Sequence, residues 1–594
     1  MGNKLFSFIK AIKYCLKLSW STSRLYFSMR SFVLVAYAII PFISLNATKL
    51  FIDSLQNVSE SNTMSTLILL LIIIVFTSVM LHIINLANAY LQSVHDDLVD
   101  YKISEMLMKK TLDVDIEFFD SPDYLNTLQS IMIDSRSLVS IIWGILNGIS
   151  SLISLSISIL MIGPYNWMYA LVIVLASIPS AILSKQFSQT LYNWRLSNLH
   201  EERQKSYLQL LTRDKAYASE IRIFNLNDFI LSRYKVFWEY CFKGKKRIQG
   251  KKLIYTIPAL ILPELAVLFF LFSITQGIIE GTYSIGDFTL FLGLFTSLIN
   301  ATITVIRDFS SVYEDKLKIE TLNKFFNYKN CIENTGKLDL QVINSIEFKN
   351  VSFRYPKTEK YILKNISFKI KKNQRVCIIG ANGSGKSTLL KLMLRFYDVS
   401  DGEILINCKN IQEYNLLSLR QAFSISFQDY VSYAFTLRDN IRMSSIQNKE
   451  WTDADAYRAL DLVGATSLLE KMPDGLNTYL HKIFNVDGYE ASGGEYQKIA
   501  LARAINRSCS ILVLDEPTAS LDPVSEYNLY NNLKDKIIEK TLIFTSHRLS
   551  AVHLSDTIIL IEDGEIKEQG RHEELMDLNN KYADLYRLQA NTYN

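Results

Sequence analysis

The chain has 594 residues, of which 49% are hydrophobic and 21% are charged, so it is long enough for more than one domain. Its formal net charge of +4 is small for this length, and nucleic-acid binding is therefore not expected. The six cysteines are scattered without any C-x-x-C pair, so neither a disulfide framework nor a zinc site is expected, and unpaired thiols fit a reducing compartment.

Six apolar runs before residue 307 are long enough, or nearly so, to span a bilayer. No signal-peptide pattern precedes them, because the basic first 30 residues contain no small-residue cleavage site. We therefore predict a multi-pass membrane domain over residues 1–320. The predicted spans are about 31–52, 64–87, 138–162, 167–184, 253–279 and 284–306.

Charge in the connecting segments predicts the orientation of these spans. The segments without any Lys or Arg are 53–63, 163–166 and 280–283. Many Lys and Arg residues occur in the N-terminal segment and in 95–137, 185–252 and 307–320. Because cytoplasmic loops carry the excess of positive charge, both termini are predicted to lie in the cytoplasm.

The two long cytoplasmic connections are predicted to be helical arms that extend the spans beyond the membrane. Both carry charged residues at helical spacing. The turns between paired helices are expected in EFFDSPDYLNTLQ, residues 117–129, and in YASEIRIFNLNDF, residues 217–229. The alternative is a pair of simple cytoplasmic helical hairpins. A linker over residues 321–345 is predicted to follow the last span.

One carboxylate, Glu264, interrupts the apolar run IYTIPALILPELAVLFFLFSIT at residues 254–275. At about 1.5 Å per residue it lies about 18 Å from the cytoplasmic edge near Lys252, close to the middle of a bilayer about 30 Å thick. Exposure to lipid is costly, so the side chain is predicted to face protein or an internal cavity, beside a helix weakened or kinked at Pro263. Its partner is either structural, such as Lys49 or a Ser or Asn side chain, or a cationic ligand in the cavity.

From residue 346 onward the sequence alternates short apolar strands with turns, and an α/β nucleotide-binding domain is predicted over 346–594. Its first motif, RVCIIGANGSGKSTLLKLML at 375–394, joins a strand to a helix through a loop that matches G-x-x-x-x-G-K-[ST]. In this P-loop, Lys386 is expected to contact the β- and γ-phosphates and Ser387 to bind Mg²⁺. The other predicted phosphate-binding residues are Gly380, Asn382, Gly383, Ser384, Gly385 and Thr388.

A second motif, SILVLDEPTASLD at 510–522, supplies two adjacent carboxylates after a buried strand. Asp515 is predicted to hold Mg²⁺ through water, and Glu516 to orient the water that attacks the γ-phosphate. A buried strand that merely ends in two surface acids is the alternative, and the P-loop upstream argues against it.

Between these motifs lies ASGGEYQKIALARAI at 491–505, where a resemblance to ABC transporters becomes specific; it covers essentially the whole chain. The family signature is L-S-G-G-Q. Ser492 and Glu495 have the spacing of a capping box that opens a helix, while Gly493 and Gly494 leave the helix N-terminus accessible to phosphate. The resemblance implies that this end faces the γ-phosphate held by a second subunit's P-loop. Capping and phosphate binding compete for Ser492, and Glu495 adds negative charge near ATP.

Four further residues match family positions one by one. The resemblance implies that Tyr355 in FRYP stacks on adenine, and that Gln428 in SISFQDY contacts Mg²⁺ and senses the membrane arms. Asp522 in ASLDP corresponds to the acid at the dimer interface, and His547 in FTSHRL to the switch histidine near the γ-phosphate. The segment FNVDGYE at 484–490 departs from the family's G-E-x-G pattern, because Val486 takes the place of the glutamate.

The order of the domains resembles an ABC exporter half-transporter. The implied fold is a type I exporter-like membrane α-helical bundle of six transmembrane helices with long cytoplasmic arms, followed by an α/β P-loop domain. One P-loop and one signature per chain imply an obligate dimer, and a homodimer is favoured over a heterodimer because every catalytic residue is present. ATP and Mg²⁺ are the implied cofactors. Hydrolysis is expected to drive alternating access, with the turns near Phe119 and Phe224 transmitting closure.

Within the exporters, the segments 220–226, 423–441 and 495–504 most resemble lantibiotic and bacteriocin exporters of Gram-positive bacteria. We therefore predict export of a peptide, cationic or post-translationally modified, across the plasma membrane, with enzymes that modify the precursor as partners. Cys15 is not accompanied by a His-bearing protease body, so no N-terminal peptidase domain is expected. A lipid or multidrug exporter is the alternative. A cationic cargo is favoured because the spans contain the carboxylate of Glu264 and few basic residues besides Lys49.

Overall fold

The computed structural model describes residues 13–56, 63–356, 358–536 and 540–593, so part of the predicted outer loop 53–63 lies outside the described residues. The chain forms two compact units, which are described separately. The first contains Met1–Val114 and Pro122–Tyr328, and the second contains Asp115–Ser121 and Lys329–Asn594. The short segment Asp115–Ser121 thus belongs to the second unit, although in sequence it lies within the first.

The regular elements described in the first unit are helices. They are α1 (Arg24–Gln56), α2 (Thr63–Asp113), α4 (Pro122–Ser197), α5 (Leu199–Arg213), α6 (Lys215–Ile223), α7 (Asn227–Ile279) and α8 (Ile285–Phe326), with α3 (Ile116–Phe119) in the second unit. Five described helices are long and apolar enough to cross a membrane. One of them, α4, holds two of the predicted runs and is broken between them at Asn166, where φ is −163° and ψ is 107°. Six predicted spans therefore correspond to five helices.

Several of these helices are much longer than a bilayer is thick. Helix α2 has 51 residues and α7 has 53. At about 1.5 Å per residue each is roughly 75–80 Å long, against about 30 Å of hydrocarbon, so long arms extend beyond the spans. The second predicted turn contains the end of α6 at Ile223 and the start of α7 at Asn227, with Asn225 between them at a φ of 49°.

Two helices continue through positions where the sequence predicts a weakened helix or the start of a linker. Helix α7 continues as one element through Pro258 and Pro263, so the weakening predicted at Pro263 does not end the helix. Helix α8 continues to Phe326, into the segment 321–345 predicted as a linker, and the first compact unit ends at Tyr328.

An ion pair joins α1 to α8 in the first unit. Lys49 Nζ lies 2.6 Å from Asp287 Oδ1 and donates to the hydroxyl of Tyr165 at 2.8 Å. Asp287 also closes a capping box with Ser284 at the start of α8. Buried aromatic rings pack on the same helix, among them Phe291 and Phe295, whose centroids are 5.6 Å apart. Lys49 is therefore bound to Asp287.

The second unit is an α/β domain with two sheets. Its strands are β1 (Ser345–Phe353), β2 (Leu363–Lys371), β3 (Arg375–Ile379), β4 (Asp401–Ile406), β5 (Lys409–Asn410), β6 (Phe423–Ser426), β7 (Ile511–Asp515), β8 (Thr541–Ser546), β9 (Thr557–Glu562) and β10 (Glu565–Gly570). The larger sheet has the order β10-β9-β3-β8-β7-β6 and the smaller one β2-β1-β4-β5.

Further α-helices of the second unit connect these strands or follow them. They are α9 (Lys386–Met393), α10 (Leu416–Gln421), α11 (Leu437–Arg442), α12 (Asp453–Leu462), α13 (Leu468–Lys471), α14 (Gly493–Asn506), α15 (Pro523–Lys536), α16 (His572–Asp577) and α17 (Lys581–Tyr593). Strands β7 and β8 are buried throughout, as expected for a parallel sheet covered on both faces. From β9 to β6 the neighbours pair in parallel, so their carboxyl ends meet at one edge.

Candidate functional site

The predicted P-loop lies at the carboxyl edge of the larger sheet, between β3 and α9. Gly383 and Gly385 have positive φ angles of 81° and 108°, in a region that residues with a side chain rarely adopt. A Cβ at Gly380 would lie 2.2 Å from the carbonyl oxygen of Ile561. The path of the loop therefore requires glycine at these three positions of the motif.

Two polar side chains of the P-loop are buried, and their chemistry suits a phosphate. Lys386 Nζ donates to the carbonyl oxygens of Gly380 at 2.8 Å and Ala381 at 3.2 Å, and its burial lowers the pKa of the ammonium. Ser384 Oγ is buried and makes no hydrogen bond within the described part of the chain. Because a buried hydroxyl without a partner is costly, these groups fit an anionic ligand that accepts hydrogen bonds from both.

Two of the three predicted Mg²⁺ ligands, Ser387 and Asp515, lie side by side, whereas the third, Gln428, donates to Glu516. Asp515 is the last residue of β7 and is buried, and Ser387 at the start of α9 is hydrogen-bonded to it. Thr545 on β8 donates to the Asp515 carboxylate at 2.5 Å. Burial raises the pKa of Asp515, and the hydrogen bonds from Thr545 and Ser387 oppose that rise. A hydroxyl beside a carboxylate is an oxygen ligand set of the kind that Mg²⁺ prefers.

Three predicted residues meet at the carboxylate of a fourth, Glu516. Gln428 Nε2 donates to it at 2.9 Å, His547 Nδ1 lies 3.3 Å away, and Lys386 Nζ lies 3.8 Å away. These side chains follow β6, β8 and β3, so the parallel sheet brings them together at its carboxyl edge. Glu516 itself has a φ of 47°, a left-handed conformation that costs about 1–2 kcal/mol for a residue other than glycine.

Tyr355, the predicted adenine-stacking residue, lies against the first turn of α9. Its hydroxyl is hydrogen-bonded to Thr388 Oγ1 at 3.1 Å, and it is half-buried. Its ring meets those of Phe353 and Tyr397 edge to face, with centroids 5.1 Å and 5.3 Å apart. Asn382, in the P-loop, is exposed.

The signature segment forms the predicted capping box at the start of α14. Glu495 N–H donates to Ser492 Oγ at 3.3 Å, and Ser492 N–H donates to the Glu495 carboxylate at 2.8 Å. A Cβ at Gly493 would meet nothing nearer than the hydroxyl of Tyr430 at 4.0 Å, so the helix N-terminus is open there. A Cβ at Gly494 would lie 3.0 Å from the carbonyl oxygen of Ser520.

The signature residues and the P-loop do not meet within one chain. Among the described residues, no hydrogen bond or ion pair joins Ser492, Gly493 or Gly494 to the P-loop. Asp522 is exposed and accepts hydrogen bonds from the N–H groups of residues 524 and 525 at 3.1 Å and 2.9 Å. The hydroxyl of Ser525 and these N–H groups lower the pKa of its carboxyl. Val486, the departure from the family pattern, is 86% exposed.

Glu264 is exposed on the surface of its own chain, and the prediction that its carboxylate faces protein or an internal cavity stays a prediction. The neighbouring Pro263 is buried, which shows that α7 packs on one side of this position and presents Glu264 on another. Lys49 is not its partner, because Lys49 pairs with Asp287 at 2.6 Å.

Some contacts at the site were not predicted from the sequence. Tyr397 donates to Asp120, which follows α3, at 2.6 Å, and so connects the surroundings of Tyr355 to that short helix. Gln497 of α14 donates to the carbonyl oxygen of Glu516 at 3.3 Å. Thr545 carries a weak sequence signal, because it is a polar residue directly after the apolar run at 542–544, whereas Tyr397 and Gln497 carry none.

Two sequence models of one family match the chain. The one described as the ABC transporter transmembrane region matches residues 11–302, and the one described as ABC transporter matches residues 363–519. Together they cover well over half of the chain. A solved structure of a bacterial Atm1-family ABC exporter with ATP bound is similar over 94% of this chain and 98% of that one, with a TM-score of 0.80 and 21% identity. The exporter-type fold predicted from the sequence is therefore confirmed.

Curated relatives of the chain carry names that describe different cargoes. A subtilin transport ATP-binding protein of Bacillus subtilis is 28% identical, over 96% of this chain and 93% of its own length. A nisin transport ATP-binding protein of Lactococcus lactis subsp. lactis is 27% identical, over 95% of each chain. An ATP-dependent lipid A-core flippase of Haemophilus influenzae is 32% identical over 58% of each.

Proposed function

Because the chain belongs to the ABC transporters and is an ATP-driven exporter, we propose that it acts as a homodimer that exports a cationic peptide. It is a multi-pass membrane protein, and as a half-transporter it works as a dimer. The observation that carries the proposal is that, within the described part of one chain, no hydrogen bond or ion pair joins Ser492, Gly493 or Gly494 to the P-loop. Two copies supply two complete sites, each with a P-loop from one subunit and a signature from the other.

The roles of the residues follow from their positions around Glu516. Lys386 and the P-loop N–H groups bind the β- and γ-phosphates, and Ser387 and Asp515 are placed to hold Mg²⁺, which would neutralise phosphate charge. Glu516 orients water for attack on the γ-phosphorus and accepts its proton, as the bond between the β- and γ-phosphates breaks to give ADP and phosphate. Gln428 and His547 hold the Glu516 carboxylate from two sides.

Two observations support a peptide as the cargo. The matches to the subtilin and nisin transport proteins extend over more than nine-tenths of the chain, including the membrane region, whereas those to the flippases of Haemophilus influenzae and Pectobacterium atrosepticum cover 58% and 81%. Glu264 adds a carboxylate, exposed on the surface of its own chain and predicted near mid-membrane, where lipid contact is costly. In the proposed dimer this face lines the cavity, and two carboxylates attract a cationic cargo. A lipid exporter is the second candidate, because flippases are of similar identity.

Stimulation of the ATPase by cargo separates these candidates. Purified protein in nanodiscs is mixed with a cationic lantibiotic precursor peptide, with lipopolysaccharide core lipid, or with a hydrophobic drug. We expect the peptide to stimulate hydrolysis, and stimulation by the lipid alone would replace the peptide proposal with the flippase one.

The Glu264→Gln variant tests the cargo site in the same assay. Loss of the charge is expected to raise the peptide concentration for half-maximal stimulation roughly tenfold, about 1.4 kcal/mol, with little effect on an uncharged drug. Glu280→Gln, at the outer end of α7, is the matched control. An unchanged peptide response in Glu264→Gln would remove Glu264 from the cargo site.

A further inference from the structure

The signature of this chain carries a glutamate where the family has glutamine, and the structure pairs that glutamate with a lysine from another helix. Lys471, the last residue of α13, lies 2.8 Å from Glu495 Oε1. The hydroxyl of Tyr489 donates to the same carboxylate at 3.2 Å. The carboxylate that caps α14 is thus held from three directions, by Lys471, by Tyr489 and by Ser492 N–H at 2.8 Å.

We propose that Lys471 is a positioning residue of the nucleotide site, which neutralises Glu495 and so makes this signature compatible with the triphosphate of the partner. An uncompensated carboxylate at this helix end repels a phosphate. The ammonium of Lys471 cancels most of that charge while the capping bond to Ser492 N–H is kept. This inference rests on the proposed contact between the 492–494 segment and the partner's ATP.

The charge state of Glu495 agrees with this arrangement. Partial burial by itself raises the pKa of the carboxyl, but the hydrogen bonds from Lys471 and Ser492 lower it to about 2, so Glu495 is ionised at neutral pH. The two hydrogen bonds of the capping box also differ in length. The bond from Ser492 N–H to the Glu495 carboxylate is 2.8 Å long, and the bond from Glu495 N–H to Ser492 Oγ is 3.3 Å long. The carboxylate is the stronger cap, and the Ser492 hydroxyl can leave its long hydrogen bond for a phosphate at little cost.

A double-mutant cycle on the full-length dimer tests the proposal. The KM for ATP is measured for the wild type, Lys471→Met, Glu495→Gln and the double variant. We expect Lys471→Met to raise KM roughly three- to tenfold, because one negative charge is left unpaired near ATP, and Glu495→Gln in the same chain to restore it. If Lys471 only ties α13 to α14, the double variant will be as impaired as Lys471→Met, which would overturn the proposal.

Salt and a matched control complete the test. Lys471 is largely exposed, so the KM increase in Lys471→Met should shrink between 50 and 500 mM salt, as the Debye length falls to about a third. Lys369→Met is the control, because Lys369 forms a 2.9 Å pair with Glu347 at comparable exposure. Equal KM values for Lys471→Met and Lys369→Met would refute the role of Lys471. In that case Gly493→Asp shows how far the failure extends. If Gly493→Asp is fully active, the proposed contact between the signature and the partner's ATP is wrong as well. If Gly493→Asp is inactive, that contact stands and only the role of Lys471 is refuted.

Discussion

Replacing Gly493 by Asp is predicted to abolish ATP hydrolysis without unfolding the cassette. A Cβ at this position meets nothing nearer than the Tyr430 hydroxyl at 4.0 Å, so the new side chain fits within one subunit. A carboxylate in the first turn of α14 also faces the positive end of the helix dipole, which stabilises the helix by roughly 0.3–1 kcal/mol. The substitution is therefore neutral or favourable for the free energy of unfolding of the chain itself.

The same carboxylate meets the γ-phosphate of the partner in the proposed closed dimer. Two unit charges about 4 Å apart repel by about 4 kcal/mol at an effective dielectric constant near 20. At about 1.4 kcal/mol per factor of ten, closure on ATP becomes roughly a thousandfold weaker. The structure therefore predicts opposite effects of one substitution on stability and on activity.

Two measurements on the purified dimer check this prediction. The ATPase rate at saturating Mg²⁺–ATP should fall at least a hundredfold, while the thermal midpoint in the absence of nucleotide stays equal or rises. Gly493→Ala, which adds a methyl group without charge, should lose far less activity. An Asp variant that hydrolyses ATP within tenfold of the wild type would refute the assignment of this helix end to phosphate, and a lowered midpoint would refute the steric argument.

Three further substitutions test other parts of the site. Glu516→Gln should keep ATP binding but lower hydrolysis by a factor of about 10² or more, because the group that accepts the water's proton is lost; near-normal turnover would contradict that role. Lys386→Ala should instead weaken ATP binding itself, measured with a fluorescent nucleotide, and unchanged affinity would argue against it. Tyr397→Phe keeps the ring beside Tyr355 but loses the 2.6 Å hydrogen bond to Asp120, so the ratio of peptide-stimulated to basal ATPase should fall. An unchanged ratio would show that this bond does not transmit the effect of the peptide to the nucleotide site.

The parts of the molecule that sequence analysis predicted well are those encoded by neighbouring residues. The spans follow from continuous apolar runs, and the P-loop glycines follow from a motif whose backbone path tolerates no side chain at Gly380. The capping box could likewise be predicted, because Ser492 and Glu495 are only three positions apart in the sequence. The family resemblance assigned Gln428 to Mg²⁺ and His547 to the γ-phosphate, but their meeting at Glu516 was not predicted; the neighbouring parallel strands β6, β7 and β8 explain it physically.

The parts that could not be predicted depend on packing between distant segments. Lys471 and Glu495 are 24 residues apart and on different helices, and nothing in either local sequence points to the other. Lys49 and Asp287 pair across the first unit, so the sequence could not decide whether Lys49 belongs to Glu264. The partner of Glu264 could not be predicted either, because its side chain is exposed on its own chain.

Transport in proteoliposomes tests the central claim most directly. Wild-type protein is reconstituted with the cassettes outside, and accumulation of a fluorescent cationic precursor peptide inside the vesicles is followed after addition of Mg²⁺–ATP, with Glu516→Gln vesicles as the inactive reference. We predict ATP-dependent peptide uptake by the wild type alone, saturable and abolished by chelation of Mg²⁺. ATP-dependent movement of a fluorescent lipid between leaflets, without any peptide uptake, would contradict the account.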